Sequence, residues 1–418
     1  MTDPRESGFK DVTPLSAARE RLREAVRPHD RTEVVPLSTA AGRTVARAVS
    51  ARRAVPHYDR AAMDGFAVRA EDTFGAGDRS PAVLRLGGHA EDGDEVAPGE
   101  AVRVHTGSEL PPGADAVVMV EQTDTVAEDV EVFDAVAEGE NVAPAGEDVA
   151  AEQPLYEPGH RLRPSDIGLL RSTGVTEVEC YQPPTVGVVP TGEELVQTDP
   201  DPGEVVETNG LTVAQYVERW GGVPEYRNVV TDDEHALRAA IQRDLTKDVI
   251  VTTGGSSVGE RDLLPAVIDE LGEVLVHGIG VKPGHPAGFG VVEDTPVIML
   301  PGYPVACIVN AVQLLRPAVK WAGRMPLTAH PETEAVLDRK IASEPGVRTF
   351  ARVELDGTGD EADPDRPADL PTATPTRASG SGVLSSVALA DGWVVVPEER
   401  EGVPEGERVA VQDWEWYA

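Results

Sequence analysis

Lysine is nearly absent from this chain: Lys10, Lys247, Lys282, Lys320 and Lys340 are the five among 418 residues. Lys and Arg together number 37 against 73 acids, for a formal net charge of −36. Nucleic-acid phosphates are held by concentrated positive charge, so this balance excludes a general nucleic-acid partner. Acid in excess with lysine suppressed reads as a surface adapted to concentrated salt, a halophilic habit in which screening removes self-repulsion. The acids are spread among periodic apolar segments, which argues against an acidic tail or a disordered chain. Cysteine is scarcer still. Cys180 and Cys307 stand far apart with no CxxC and no histidine beside them, so neither a disulfide framework nor a zinc site is expected. Both read as small core residues of a protein in a reducing compartment. No run reaches the roughly 18 apolar residues of a spanning helix. Met1 to Lys10 is polar, without a signal-like apolar region. A soluble, cytoplasmic protein with no membrane partner is expected. Aromatics are few at 4%, yet hydrophobic residues reach 40%, enough for real cores. A chain of this length exceeds one compact core, and roughly two to four domains are expected.

What is present falls into blocks. Residues 13–28 predict an amphipathic helix capped at Thr13-Pro14 and closed by Pro28. From Ala54 to about Asn141, Gly and Pro punctuate short Val-rich runs such as Ala116 to Val120, predicting small β-rich units. Residues 144–180 alternate turns with short strands and one short helix, Pro164 to Ser172. The pattern then changes. Thr185 to Val189, Val249 to Thr253 and Val297 to Leu300 are apolar runs of the buried-strand kind. Helical stretches over 208–220, from Asp232-Asp233-Glu234 to Arg243, over 262–271 and from Pro304 alternate with them. That alternation predicts a doubly wound parallel sheet over about residues 180–325. After Pro326 the helical period fades. Residues 335–355 and 393–411 read as strands of a small all-β domain, separated by an acidic Gly/Pro loop from Asp356 to Pro371.

The sharpest signal for chemistry is the passage from Val249 through Thr253 into Gly254-Gly255-Ser256-Ser257-Val258-Gly259 and on to Asp262. A buried strand runs into a Gly–Gly turn, then hydroxyls, then a helix start. Glycine allows close ligand approach, and helix-start N–H groups attract anions. Two more strand ends repeat the arrangement: Thr191-Gly192-Glu193-Glu194 after one, and Leu300-Pro301-Gly302-Tyr303-Pro304 after another. In an open parallel sheet such ends converge on one crevice, here read as a site for a phosphate-bearing ligand. Lys282, in Val281-Lys282-Pro283-Gly284-His285, survives in a chain that has nearly eliminated lysine, and suits a point charge for phosphate or an oxyanion. Carboxylates recur at loops: Asp64, Glu194, Asp232 and Asp262. An acidic site holding Mg²⁺ would let a phosphoanhydride approach and leave. Asp232 and Asp262 are also placed like helix N-caps. The turns at Asp59 to Ala67 and His105 to Pro111 read as structural from local physics alone.

Taken in order, Ala62-Met63-Asp64-Gly65, Thr106-Gly107 with Leu110 to Val118, Gly146-Glu147-Asp148-Val149, Thr191 to Leu195, the 254–262 loop, Lys282-Pro283-Gly284 and Leu300-Pro301-Gly302 resemble the molybdopterin molybdenumtransferase family. That family comprises MoeA proteins and the catalytic C-terminal region of gephyrin. The resemblance spans about residues 10 to 411. It implies a multidomain α/β plus β fold in four parts. These are a discontinuous helical linker domain (1–54 and 144–179), an inserted β-rich domain (55–143), an α/β domain resembling molybdopterin adenylyltransferases (180–326) and a C-terminal β-barrel (327–418). It further implies a homodimer whose cleft combines domains of both subunits, and transient contact with the adenylyltransferase and acceptor molybdoenzymes.

The implied reaction inserts molybdate into adenylylated molybdopterin, with release of AMP and a divalent cation, Mg²⁺, taking part. By position, Asp64, Thr106, Glu194, Asp232, Asp262 and Lys282 would be the catalytic set, Asp148 would share the face of Asp64 and Thr106, and Glu194 and Asp262 would hold the metal. Gly254, Gly255, Ser256, Ser257, Gly259, Pro301, Gly302, His285, Arg352 and Ser381 would bind the pterin and anions. Four positions depart from the family pattern: His285 replaces a lysine, Tyr303 an asparagine, and Arg60-Ala61 an Asn-Ser pair. Tungstate insertion, adenylyltransfer and a non-catalytic pterin scaffold stay open as rival readings.

Overall fold

The computed structural model describes residues 12–89, 95–254, 263–358, 370–376 and 382–416. Its centre is a six-stranded sheet in the order Val223–Tyr226, Thr185–Pro190, Val249–Thr253, Thr295–Leu300, Gly288–Val292, Glu273–His277. Every residue of Val249–Thr253 and Thr295–Leu300 is buried. Strands covered on both faces need no polar alternation, which is why these segments read as unbroken apolar runs. One face, with Val249, Val251, Ile298 and Leu300, packs on helices Asn209–Arg219, Pro304–Asn310 and Arg316–Ala322. The other, with Ile250, Val297 and Met299, packs on helices Glu234–Asp244 and Leu263–Leu271.

The sheet is doubly wound but not wholly parallel. Its first four strands run parallel, and Gly288–Val292 and Glu273–His277 join antiparallel. Sequence periodicity misses this edge because glycine interrupts it. A Cβ at Gly290 would lie 2.5 Å from the Glu273 carbonyl oxygen, so close strand approach demands a residue without a side chain there.

Two helix starts also differ from expectation. The first helix is Leu15–Ala25, with Pro14 at its cap and no side-chain cap bond. Thr13 is extended instead. Its N–H donates to the Gly278 carbonyl at 3.0 Å and its carbonyl accepts from Gly280 at 2.8 Å, so strand-like pairing takes the backbone that a cap would need. At the helix over 234–244, Asp233 rather than Asp232 is the cap, accepting from the Ala236 N–H at 2.9 Å.

The remaining parts are β-rich. A second six-stranded sheet spans residues 65–132, with strands such as Gly65–Val68, Glu100–Val104 and Ala116–Met119 around its own apolar clusters. Helix Pro164–Ser172 and residues around 35–45 and 155–180 form a further core. Near the C-terminus, Arg348–Thr358, Pro371–Pro375, Glu332–Leu337, Arg408–Gln412 and Gly392–Val396 pair in sequence, and the last closes on the first as a five-stranded barrel. Stacked Trp393 and Trp414, with ring centroids 4.5 Å apart, belong to the same apolar cluster as Leu15, Leu22 and the central sheet. Both cysteines are buried and unpaired. Among the described residues no helix is long and apolar enough to cross a membrane.

A buried ion pair locks the central sheet's edge. Asp244 is fully buried and takes a two-pronged bond from Arg227, whose own N–H donates to the Val188 carbonyl at 2.9 Å. Gly187 makes room for it, since a Cβ there would lie 2.7 Å from Asp244 Oδ2. Removing the carboxylate strands a guanidinium with only Glu225 left to pair it. Asp244→Ala is therefore expected to lower unfolding free energy by about 3–5 kcal/mol, read from the urea midpoint at unchanged m-value.

Candidate active site

The central sheet reverses its winding between Thr185–Pro190 and Val249–Thr253: from the first strand the chain moves one way to Val223–Tyr226 and then the other way to Val249–Thr253. A crevice opens at the carboxyl ends of such strands. Here the three glycine-bearing strand ends meet. The Thr191 N–H donates to the Thr253 carbonyl at 3.0 Å, and the Gly254 N–H donates to the Leu300 carbonyl at 3.1 Å. Gly254 has φ +109°, and a Cβ on it would lie 2.1 Å from the Thr191 carbonyl oxygen. A Cβ on Gly302 would in turn lie 3.5 Å from the Gly254 Cα. No other residue type fits at 254 while these backbones keep this separation.

Around that contact the structure gathers polar groups. Glu194 is exposed and folds back over Gly192, whose Cβ position lies 2.9 Å from each carboxylate oxygen. Asn209, at the start of its helix, donates to the Gly302 carbonyl at 2.7 Å and so fixes the Pro301-Gly302 turn. The hydroxyls of Thr191, Thr252 and Thr253 are buried with no hydrogen-bond partner among the described residues. Thr191 belongs to a strand end singled out in the sequence, whereas Asn209 and the Thr252 and Thr253 hydroxyls escaped sequence reasoning. Asn209-Gly210 at a helix start was the available hint for Asn209. Asp232 lies two residues beyond Val230, which bridges to Thr191. Gly255, Ser256, Ser257, Gly259 and Asp262 lie outside the described residues, so half of the proposed metal pair with Glu194 does too. Among the described residues no three His, Cys, Asp or Glu side chains gather as a metal site.

Lys282 and His285 belong to the seam with the barrel. Val281–Lys282 pairs with Arg348-Thr349, and Lys282 Nζ meets Glu344 Oε1 at 2.5 Å. That contact, with His285 adding to it, holds the Glu344 carboxyl below its usual range. His285 is half-buried, its Nδ1 3.2 Å from the Ile279 carbonyl oxygen. Arg352 sits half-buried on the barrel strand Arg348–Thr358, where burial lowers its proton affinity. Ser381 lies outside the described residues. Its neighbour Gly382 comes up to the exposed Tyr303 ring, with a Cβ position 3.5 Å from Cδ1, so a barrel loop borders the Pro301-Gly302 turn.

A second group of candidates stands on the inserted β domain. Asp64 Oδ1 accepts from the Thr106 N–H at 2.7 Å and from its hydroxyl at 3.0 Å, with His105 Nδ1 3.8 Å away. These donors, the amide first, hold the Asp64 carboxyl below its ordinary value. Neighbouring loops are stitched together. Tyr58 donates its hydroxyl to the Gly107 carbonyl, Asp59 accepts from the Ala145 N–H, and the Asp148 N–H donates to the Val55 carbonyl. Asp148 is exposed on this same group of loops. The turns at 59–67 and 105–111 thus do more than reverse the chain, because they position a paired carboxylate.

An α/β protein with three glycine-bearing turns at its switch point, a β-rich insertion and a terminal barrel is the class that these features define. The chain matches the family models described as "MoeA N-terminal region (domain I and II)" over residues 13–174, "Probable molybdopterin binding domain" over 187–321 and "MoeA C-terminal region (domain IV)" over 334–414. It is 34% identical to a protein of Methanocaldococcus jannaschii assigned provisionally to molybdopterin biosynthesis, covering 96% of this chain and 98% of that one. It is 30% identical to the molybdopterin molybdenumtransferase of Haemophilus influenzae, covering 95% and 98%. The solved structure of a molybdopterin biosynthesis MoeA protein from Pyrococcus horikoshii superposes with a TM-score of 0.80 at 34% identity, covering 97% of this chain and all of that one. The chain belongs to the MoeA family of molybdopterin molybdenumtransferases.

Thr106→Val keeps the amide donor to Asp64 and deletes the hydroxyl. A carbon-detected NMR titration should show the Asp64 pKa rising toward the ordinary carboxylate value without reaching it. An unmoved pKa would mean that the hydroxyl bond contributes nothing.

Proposed function

We propose that this chain inserts molybdate into adenylylated molybdopterin and releases AMP, as a late step of molybdenum-cofactor synthesis. The observation that carries this reading is the convergence of the Thr191-Gly192, Gly254 and Pro301-Gly302 turns at the switch point of the sheet, the position at which open parallel sheets bind their ligands. In this reading residues 254–259 cradle the pterin phosphate, and Asp262, Asp232 and Glu194 are the carboxylates of the α/β side. Glu194 and Asp262 offer hard oxygen donors suited to Mg²⁺, which would withdraw charge from the phosphoanhydride as AMP leaves. Lys282, Arg352 and Ser381 are the anion-contacting residues of this reading, with Lys282 exchanging its Glu344 partner for an incoming oxyanion.

We place the domain limits at 1–54 with 144–179, 55–143, 180–326 and 327–418. The Asp64–Thr106 face and the crevice are built on separate domains, so we propose a homodimer in which one subunit's Asp64 face completes its partner's crevice. The acidic surface suits a cytoplasm rich in salt, and assays belong in concentrated KCl.

The deciding assay measures AMP release from adenylylated molybdopterin with Mg²⁺, with and without molybdate or tungstate. Release that depends on one oxyanion is expected. Pterin binding without release would replace the transferase by a scaffold. Asp262→Asn should reduce turnover by about 10²-fold or more while leaving pterin binding intact. Mixing and reannealing Asp64→Asn and Asp262→Asn dimers, each inactive alone, should restore about a quarter of the wild-type clefts if each draws on both subunits. No restoration would place both residues in a cleft of one subunit.

A further inference from the structure

Asn310 is fully buried at the end of helix Pro304–Asn310, where the chain winds on into a π-turn over Ala311–Leu315. Asparagine disfavours a helical run, because its amide competes with the backbone for hydrogen bonds. Here the amide nitrogen is fully engaged. Asn310 Nδ2 donates to the Ala306 carbonyl one turn earlier at 2.9 Å, and to the Gly284 carbonyl, in a separate loop, at 3.1 Å. Its Oδ1 is buried with no hydrogen-bond partner among the described residues, so the side chain serves as a donor alone. Gly284 is shaped to receive it. The glycine has φ +127°, and a Cβ there would lie 2.1 Å from Asn310 Nδ2, so no residue with a side chain permits the contact.

The loop that Asn310 grips is closed on itself. The Ile279 N–H donates to the His285 carbonyl at 2.9 Å, and the Ala287 N–H to the Gly284 carbonyl at 3.2 Å. Lys282 and His285 ride on this closed loop. Lys282 keeps 45% of its side chain exposed and meets Glu344 in an ion pair of the solvated kind, which holds a lysine only weakly. The other end of the same helix is fixed as well. It begins at Pro304, two residues past Gly302, whose carbonyl accepts from Asn209 at 2.7 Å. One asparagine therefore pins each end of a helix roughly 10 Å long, with the strand-end turn at its start and the Lys282 loop at its finish.

We propose that Asn310 is a positioning residue, holding the Lys282 loop at a set distance from the Pro301-Gly302 turn so that the lysine stands ready for an oxyanion. It touches neither substrate nor metal and acts through the backbone of Gly284. The inference rests on the reading of Lys282 as an anion contact. Pre-organisation is what the anchor supplies, since a loop already ordered in its binding geometry gives up less freedom when the ligand arrives. A displaced loop loses affinity even where every contacting side chain is intact.

Two variants test it. Asn310→Leu keeps the volume and removes both bonds. Asn310→Ser keeps a bond to Ala306, because a serine hydroxyl in a helix bonds back to the carbonyl one turn earlier, and loses the one to Gly284. With five lysines in the chain, the ammonium spectrum of ¹⁵N-lysine-labelled full-length protein is simple, and the Lys282 signal is the one missing in Lys282→Arg. Molybdate is titrated at constant ionic strength while that signal is followed. Wild type should show a saturable shift, with a midpoint about tenfold higher in both variants. A lower thermal midpoint in the variants with an unchanged molybdate midpoint is the mark of a merely structural residue, and overturns the proposal. No shift of Lys282 in wild type overturns it together with the reading of Lys282 on which it rests. The readout does not pass through AMP release, so either failure is distinct from a failure of the turnover assay. Should Asn310→Leu not fold, Asn310→Ser decides.

Discussion

A backbone separation too small for a methyl group organises the functional end of this molecule. Gly254 lies against the Thr191 carbonyl so closely that a Cβ would intrude to 2.1 Å. The approach follows from two parallel strands that pair residue for residue from Val186 with Val249 to Pro190 with Thr253. Once they are in register, their outgoing loops have nowhere to go but past each other. The side chains Glu194 and Asn209, the Pro301-Gly302 turn and the threonine hydroxyls that find no partner among the described residues are arranged around that contact. The crevice is thus a consequence of sheet register, and its polar lining is whatever the three loops carry.

Burial of the whole sheet makes the register secure. One apolar cluster joins the first helix, the central sheet and the barrel residues Trp393 and Trp414, so the barrel and the central sheet share a core. Charge is handled in two opposite ways. On the surface the acids stay in solvent, where salt screens them. In the interior the charges are individually arranged, as Asp244 is with Arg227 and Asp166 with Arg163 and His160.

The legible part of the fold was the part set by local chemistry. Val249–Thr253 and Thr295–Leu300 announced themselves as buried strands because both their faces are covered. Pro164 and Pro304 marked helix starts since a fixed φ and a missing N–H suit the first turn. The antiparallel edge at 273–292 stayed hidden because glycines needed for close packing erase periodicity. Thr13 looked like a cap and became a strand partner of Ile279, a contact that local sequence does not encode. For the site, the glycine loops could be read from residue type and order. Asp64 with Thr106 could be linked only through family resemblance, since turns at 64 and 106 carry no local mark of their hydrogen bond.

Sequence alone established the strand and helix alternation, the glycine turns at the strand ends, the acidic surface and the family. Each rests on residue type and short spacing, which persist whatever the rest of the chain does. Folding decided which carboxylate is held by which N–H, that Lys282 meets Glu344, and that Thr44 pairs with Arg161. Those facts join segments far apart along the chain. Their energies depend on distance and burial, and neither exists until the sheets have packed.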